Sequence, residues 1–124
     1  MKSIAIKEHH LYNKAYRKGR SYVGKLITVY VLKDYKAERL KKENPQKKYV
    51  NRVGLSVSKK LGGAVARNRA KRLIRAGFDP IRDEISAGYL IVIGARTAIL
   101  DKKSSQVAEE LELAFRTLDL YKKT

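Results

Sequence analysis

The chain has no cysteine and no tryptophan, two prolines, one methionine, and only twelve acidic residues against 29 lysines and arginines. Lack of cysteine excludes disulfides and any thiolate metal site, so an ordinary apolar core has to hold the fold. No apolar run approaches the roughly 20 residues that span a bilayer. The start, Met1-Lys2-Ser3-Ile4-Ala5-Ile6-Lys7, lacks the apolar stretch of a secretory signal. These absences predict a soluble, cytoplasmic protein with no membrane partner. The 124 residues, 44% of them hydrophobic, fit one domain over 1–124 that buries enough surface to fold unaided.

The shortage of acid leaves a formal net charge of +17. Solubility in a small domain needs only about 2–8 net charges, and a larger excess opposes compaction by self-repulsion. A polyanionic partner is the natural explanation, with nucleic acid preferred over an anionic membrane surface, the competing partner for basic faces. The charge is also unevenly placed. Between Glu43 and Asp79 there is no acid and ten Lys/Arg; between Glu8 and Asp34 there is no acid and six. Asp101 to Asp119 holds five of the twelve acids, so the C-terminal region reads as turned away from the polyanion.

Periodicity orders the chain. Leu11 with Ala15 and Tyr12 with Tyr16 recur at four-residue spacing, predicting a helix over about 8–18 that ends at Gly19. Leu26 to Leu32 is rich in β-branched residues and reads as a strand, with Ile27, Val29 and Val31 on one side. Residues 34–48 are polar, carry Asn44-Pro45, and read as a surface connection between antiparallel strands, with room for a short strand. Val50 to Ser58 is the next strand; Val53, Leu55 and Val57 face one way, and Arg52, Gly54 and Ser56 form a small, polar opposite face. A basic glycine turn, Lys59-Lys60-Leu61-Gly62-Gly63, leads into a helix from Ala64 to Ala76 that Gly77 caps. Asp79-Pro80 restarts a short helical segment. Tyr89 to Ile93 is nearly all apolar and reads as a strand covered on both faces. A last helix begins after Ser104-Ser105, with Val107, Leu111, Ala114, Phe115 and Leu118 as its core stripe and Glu109, Glu110 and Glu112 in its early turns. The order α-β-β-(β)-α-β-α predicts an α+β fold: a two-layer α/β sandwich with about three helices and a mostly antiparallel sheet.

The helix over 64–76 carries the strongest functional signal. At 100° per residue Ala66, Ala70, Leu73, Ile74 and Gly77 share one face. Arg67, Asn68, Lys71, Arg72 and Arg75 fall opposite, with Arg69 at the flank. Solvated helix faces usually mix Glu with Lys in i,i+4 pairs, and this one has no acid. Guanidinium groups fork onto phosphate oxygens, so the face reads as a phosphate-binding surface, with Lys59 and Lys60 close by. Tyr12, Tyr16 and Tyr30 form a second constellation. Such rings hold single-stranded nucleic acid when cations lie beside them, and Lys14, Arg17, Lys18 and Arg20 supply those. Tyrosines at helical spacing are equally often core, and the residues alone leave both readings open. Adjacent His9 and His10 point different ways, and no acidic pair stands out as a metal site or acid–base couple. Protein-borne catalysis is therefore not expected, and the catalytic residues of this chain are none.

Arg52-Val53-Gly54-Leu55-Ser56-Val57-Ser58-Lys59-Lys60, then Gly62, then Ala64-Val65-Ala66-Arg67-Asn68-Arg69-Ala70-Lys71-Arg72-Leu73-Ile74-Arg75, resembles the signature of the bacterial ribonuclease P protein component, whose motif is the Arg-Asn-Arg triplet. Tyr12, Tyr16, Gly19 and Tyr30 fall where that family places its leader-binding cleft, and Ala114-Phe115-Arg116 through Lys123 resembles its last helix. Ala76 stands where the family often has an acid, and tyrosine replaces phenylalanine at two cleft positions.

The resemblance implies a subunit of a ribonucleoprotein endonuclease that removes the 5′ leader of precursor tRNA. The implied partners are ribonuclease P RNA and precursor tRNA, with no small-molecule substrate and no obligate protein partner. Hydrolysis is implied to be the RNA's, with Mg²⁺ bound mainly by RNA. Catalytic-RNA contacts are implied at Arg67, Asn68, Arg69, Lys71, Arg72, Arg75, Lys59 and Lys60. Leader contacts are implied at Tyr12, Tyr16 and Tyr30, beside Lys14, Arg17 and Lys18. The family fold also implies a left-handed βαβ crossover, against the general right-handed rule. A structural RNA-binding protein, such as a ribosomal protein, is the alternative that charge alone does not separate; an autonomous nuclease is disfavoured.

Overall fold

A computed structural model of the chain describes residues 4–6, 9–35, 39 and 51–122. The elements are β1 (Ile4–Ala5), α1 (His9–Lys18), β2 (Arg20–Val23), β3 (Ile27–Lys33), β4 (Arg52–Ser56), α2 (Ala64–Phe78), β5 (Tyr89–Ala95) and α3 (Ser104–Thr117). Short 3-10 turns occupy Lys59–Leu61, Asp79–Glu84 and Thr97–Asp101. The expected α-β-β-α-β-α order is present. The two edge strands β1 and β2 escape periodicity because they are short and their partners, not their own patterns, define them. The connection expected over 34–48, with any strand in it, lies almost wholly outside the described residues.

The strands stand in the order β1-β4-β5-β3-β2. β5 is central, antiparallel to β3 from Ile27↔Ala95 to Lys33↔Tyr89 and parallel to β4 from Arg52↔Leu90 to Ser56↔Gly94. That position explains its apolar run: both faces are covered. The sheet expected to be mostly antiparallel is mixed, since β1–β4 and β4–β5 are parallel while β2–β3 and β3–β5 are antiparallel. The reason is that β3 and β4 do not pair. β5 enters between them, and a strand reached through an intervening helix from its neighbour runs parallel to it.

Ile27, Val29 and Val31 of β3 and Ile91 and Ile93 of β5 form the main core with Ala70, Ile74 and Phe78 of α2 and Val107, Leu111 and Phe115 of α3. The opposite sheet face carries a smaller cluster: Leu11 and Ala15 of α1 on Leu90 and Val92, with Tyr12, Tyr30 and Leu32 at its margin. Sheet and α2–α3 pair are thus the principal layers, and α1 lies across the other face. Each fully buried large apolar side chain contributes about 1.5–3 kcal/mol, which lets the core withstand the cationic surface.

Gly77 does not cap α2. The helix continues to Phe78, and Gly77 is buried where α2 meets α3: a Cβ there would lie 2.9 Å from the Ala108 backbone nitrogen. Its role is close approach, which spacing cannot distinguish from a helix stop. Asp79-Pro80 does open a short helical segment, the 3-10 turn Asp79–Glu84. Glu110 ties α3 to the β2–β3 turn, accepting the backbone N–H groups of Lys25, Leu26 and Ile27 at 2.5, 2.8 and 3.2 Å. At the start of β4, Arg52 forks onto the buried carboxylate of Asp34 at 2.6 and 2.9 Å.

Candidate nucleic-acid interface

Helix α2 rests on the core through Ala70, Ile74, Gly77 and Phe78. Its cations do not lie on one narrow face; they fan around the helix. Arg67 and Lys71 are half-buried at the margin of the packed side, whereas Asn68, Arg72 and Arg75 are exposed. Arg69 leans to the other flank, where its Nε donates to the Leu100 carbonyl at 2.8 Å. The Nε of Arg67 is buried without an acceptor among the described residues. Among the described residues, none of these five cations forms an ion pair with a protein carboxylate. Among the described residues, then, no carboxylate compensates their charge. Lys59 and Lys60 are exposed in the 3-10 turn just before α2. The turn bends through Gly62, at φ 127°, a conformation that favours glycine.

Helix α1 presses Leu11 and Ala15 onto the sheet, which leaves its tyrosines at the edge of the contact. The Tyr16 and Tyr30 rings meet edge to face, with centroids 4.8 Å apart and planes at 82°. Tyr12 sits one turn earlier, its phenol lying over Gly54 of β4. Burial pushes the Tyr12 pKa up, and the neighbouring Tyr16 adds to the rise, so the hydroxyl stays neutral. The sheet register explains the row: Ser21, Tyr30, Val92 and Gly54 stand side by side across β2, β3, β5 and β4. The next row, Val23, Thr28, Gly94 and Ser56, offers small and hydroxyl-bearing side chains beside the rings. Tyr12 and Tyr30 are half-buried and Tyr16 is 39% exposed, so the rings border the core and still face solvent.

The flanking cations divide. Arg17 and Lys18 are exposed in the last turn of α1, where the helix dipole favours positive charge. Lys14 instead borders a separate cavity of about 290 Å³ with His10, Lys33, Asp34, Tyr35 and Arg52. A second cavity, of about 350 Å³, joins Tyr12 and β4 to Lys71, Arg75 and Arg82. Arg82 and Gly54 were not singled out by sequence as site residues. Arg82 follows Arg75 by seven, a same-face helical spacing that Pro80 obscures. Gly54 shows only as a small residue in an alternating strand. His9 and His10 are exposed. Among the described residues no group of His, Asp or Glu side chains gathers that would hold a metal ion. None of the described helices is long and apolar enough to cross a membrane.

A model of the Ribonuclease P family matches residues 1–119. The chain belongs to the ribonuclease P protein family. It is 34% identical to the ribonuclease P protein component of Clostridium acetobutylicum over 97% of this chain and 92% of that one. Against the component of Bacillus cereus strain Q1 the identity is 36%, covering 93% and 90%. The solved RNase P protein of Staphylococcus aureus superposes with a TM-score of 0.74 at 30% identity, covering 98% of this chain and all of that one. The α+β fold is therefore that of ribonuclease P proteins, and the Arg-Asn-Arg helix and the tyrosine row of this family member sit on opposite sides of β4.

Proposed function

We propose that this chain binds the catalytic RNA of ribonuclease P and the single-stranded 5′ leader of precursor tRNA, and so assists RNA-catalysed removal of the leader in the cytoplasm. The outward side of α2, with Lys59 and Lys60, takes the catalytic RNA. The Tyr12, Tyr16 and Tyr30 row takes the leader, with Arg17 and Lys18 on its backbone. One observation carries the reading: among the described residues α2 displays Arg67, Arg69 and Arg72, with Asn68, and no carboxylate neutralises them, while half-exposed rings line the opposite sheet face. Guanidiniums suit phosphates of a folded RNA, and rings suit unpaired bases. The chemistry belongs to the RNA. Mg²⁺ is held mainly by RNA and substrate.

The test is to incubate precursor tRNA with the protein alone, with the catalytic RNA alone, and with both at low Mg²⁺. The expected result is no cleavage by protein alone and stimulated cleavage by the pair. A structural RNA-binding protein would bind RNA without stimulating leader removal, and efficient cleavage by RNA-free protein would overturn the assignment of chemistry.

A further inference from the structure

The cavity between β4 and α2 lies between the two interfaces just described and shares Tyr12 with the ring row. Its floor is apolar, from Ile6, Ile74 and Phe78, and its rim is cationic, from Lys71, Arg75 and Arg82, with Tyr12 at one end. β1 pairs only Ile4 with Arg52 and Ala5 with Val53, after which the Ile6 N–H reaches the Val53 carbonyl at 3.1 Å. Beyond Val53, Gly54 and Leu55 of β4 line the cavity. Arg82 is paired with Asp79 at 2.7 Å, an i,i+3 contact at the surface, and its Nε is buried without an acceptor among the described residues. Such surface pairs contribute about 0–1 kcal/mol, so a phosphate competes readily for the guanidinium. The volume, about 350 Å³, is near the lower end of ligand pockets, about 300–1,000 Å³, which suits one nucleotide rather than a run.

We propose that this cavity is a second single-stranded RNA subsite: one unpaired nucleotide lays its base on the apolar floor at the β4 edge while Lys71, Arg75 and Arg82 take its phosphate. The inference rests on the reading of the chain as an RNA-binding subunit, and it refines that reading. Lys71 and Arg75 leave the catalytic-RNA face and join the substrate path. Tyr12 is the link, because it stands in both the ring row and the cavity, so a strand leaving Tyr16 and Tyr30 passes Tyr12 and turns over the β4 edge. An acidic peptide would use the cationic rim but has nothing flat and apolar for the floor.

Binding of a short labelled oligouridylate and of the catalytic RNA is measured against salt for the full chain and for the K71A/R75A variant. Arg116→Ala, which removes a cation paired to Glu112 on α3, serves as the charge control. Each single-strand phosphate that is no longer neutralised lowers the log–log salt slope by about 0.7, so the slope of the double variant on the oligouridylate, which loses the hold on one phosphate, should fall by about 0.7. Its affinity for the catalytic RNA should stay within about twofold, as should the control's for both RNAs. Equal weakening on both RNAs returns Lys71 and Arg75 to the catalytic-RNA face and overturns the inference, and so does an unchanged slope. Amide NMR of the unaltered chain gives an independent arm. Oligouridylate should shift Gly54, Ile74 and Phe78; shifts confined to the surroundings of Tyr16 and Tyr30 overturn the subsite. Competition by oligoglutamate as strong as by RNA would show a rim without a base site, and also overturns it. Failure of the full chain to bind either RNA would refute the wider function instead.

Discussion

A Cβ on Gly54 would sit 2.5 Å from the hydroxyl oxygen of Tyr12, so the ring of Tyr12 rests where a side chain on β4 would otherwise stand. The atom in conflict is the far end of a side chain on α1, which can swing away. Gly54→Ala should therefore cost little stability and displace the ring. Affinity for precursor tRNA should fall several-fold, affinity for mature tRNA should hold, and the melting temperature should move by only a few degrees. Equal affinity of variant and parent for precursor tRNA would mean that the seat of Tyr12 is irrelevant to the leader.

Tyr16 is the most exposed of the three rings and leans edge-on against Tyr30. Stacking on one base is worth about 1–3 kcal/mol, or roughly 5- to 150-fold in affinity. Tyr16→Ala should weaken precursor tRNA by an amount in that range and leave mature tRNA unaffected, read by paired binding titrations. Equal weakening of both substrates would assign the ring to structure.

Arg67 and Arg72 are the α2 arginines assigned to the catalytic RNA that no protein group ties down among the described residues, whereas Arg69 is held by Leu100. Replacing both with alanine should weaken catalytic-RNA binding and lower its log–log salt slope by roughly 0.7–0.9 for each phosphate left without its cation. A slope identical to that of the unaltered chain would mark this side of α2 as merely solvated. Arg69→Ala should behave differently, lowering stability as well as affinity, because it also cuts the tie to the Thr97–Asp101 turn.

Glu110 holds three backbone N–H groups of the β2–β3 turn with one carboxylate, across more than eighty residues of sequence. Hydrogen bonds to charged groups contribute about 1.5–3 kcal/mol. Glu110→Ala should lower stability by about that much, a drop of several degrees in a thermal melt. Glu110→Gln, which keeps an acceptor, should recover part of it. RNA affinity of the folded fraction should be unchanged, because the turn lies on the hairpin that α3 supports, away from α2.

Much of this molecule was legible without coordinates because its cues are local. Alternation in Ile27, Val29 and Val31, the continuous apolar run of β5, and the four-residue spacing of Leu11 and Ala15 each report burial through the period of a single element. The acid-free stretch from Asn44 to Phe78 likewise marks the cationic helix from composition alone. What pairs with what was not legible. Nothing in β3 or β4 says that β5 will come between them, so the mixed sheet depends on where a later segment lands. Gly77 looks the same in sequence whether it ends a helix or lets one cross another.

The same boundary runs through the site. The amino-acid order by itself determined which side chains are cationic, aromatic or apolar, which of them share a helix or strand face, and that no carboxylate interrupts the α2 arginines. Only the tertiary structure decided that Arg69 turns toward Leu100 and that Lys71, Arg75 and Arg82 line one cavity with Tyr12. Helical period sets directions around one axis; the neighbour met in each direction is set by how separate elements pack, and that packing is decided by contacts between residues far apart in the chain.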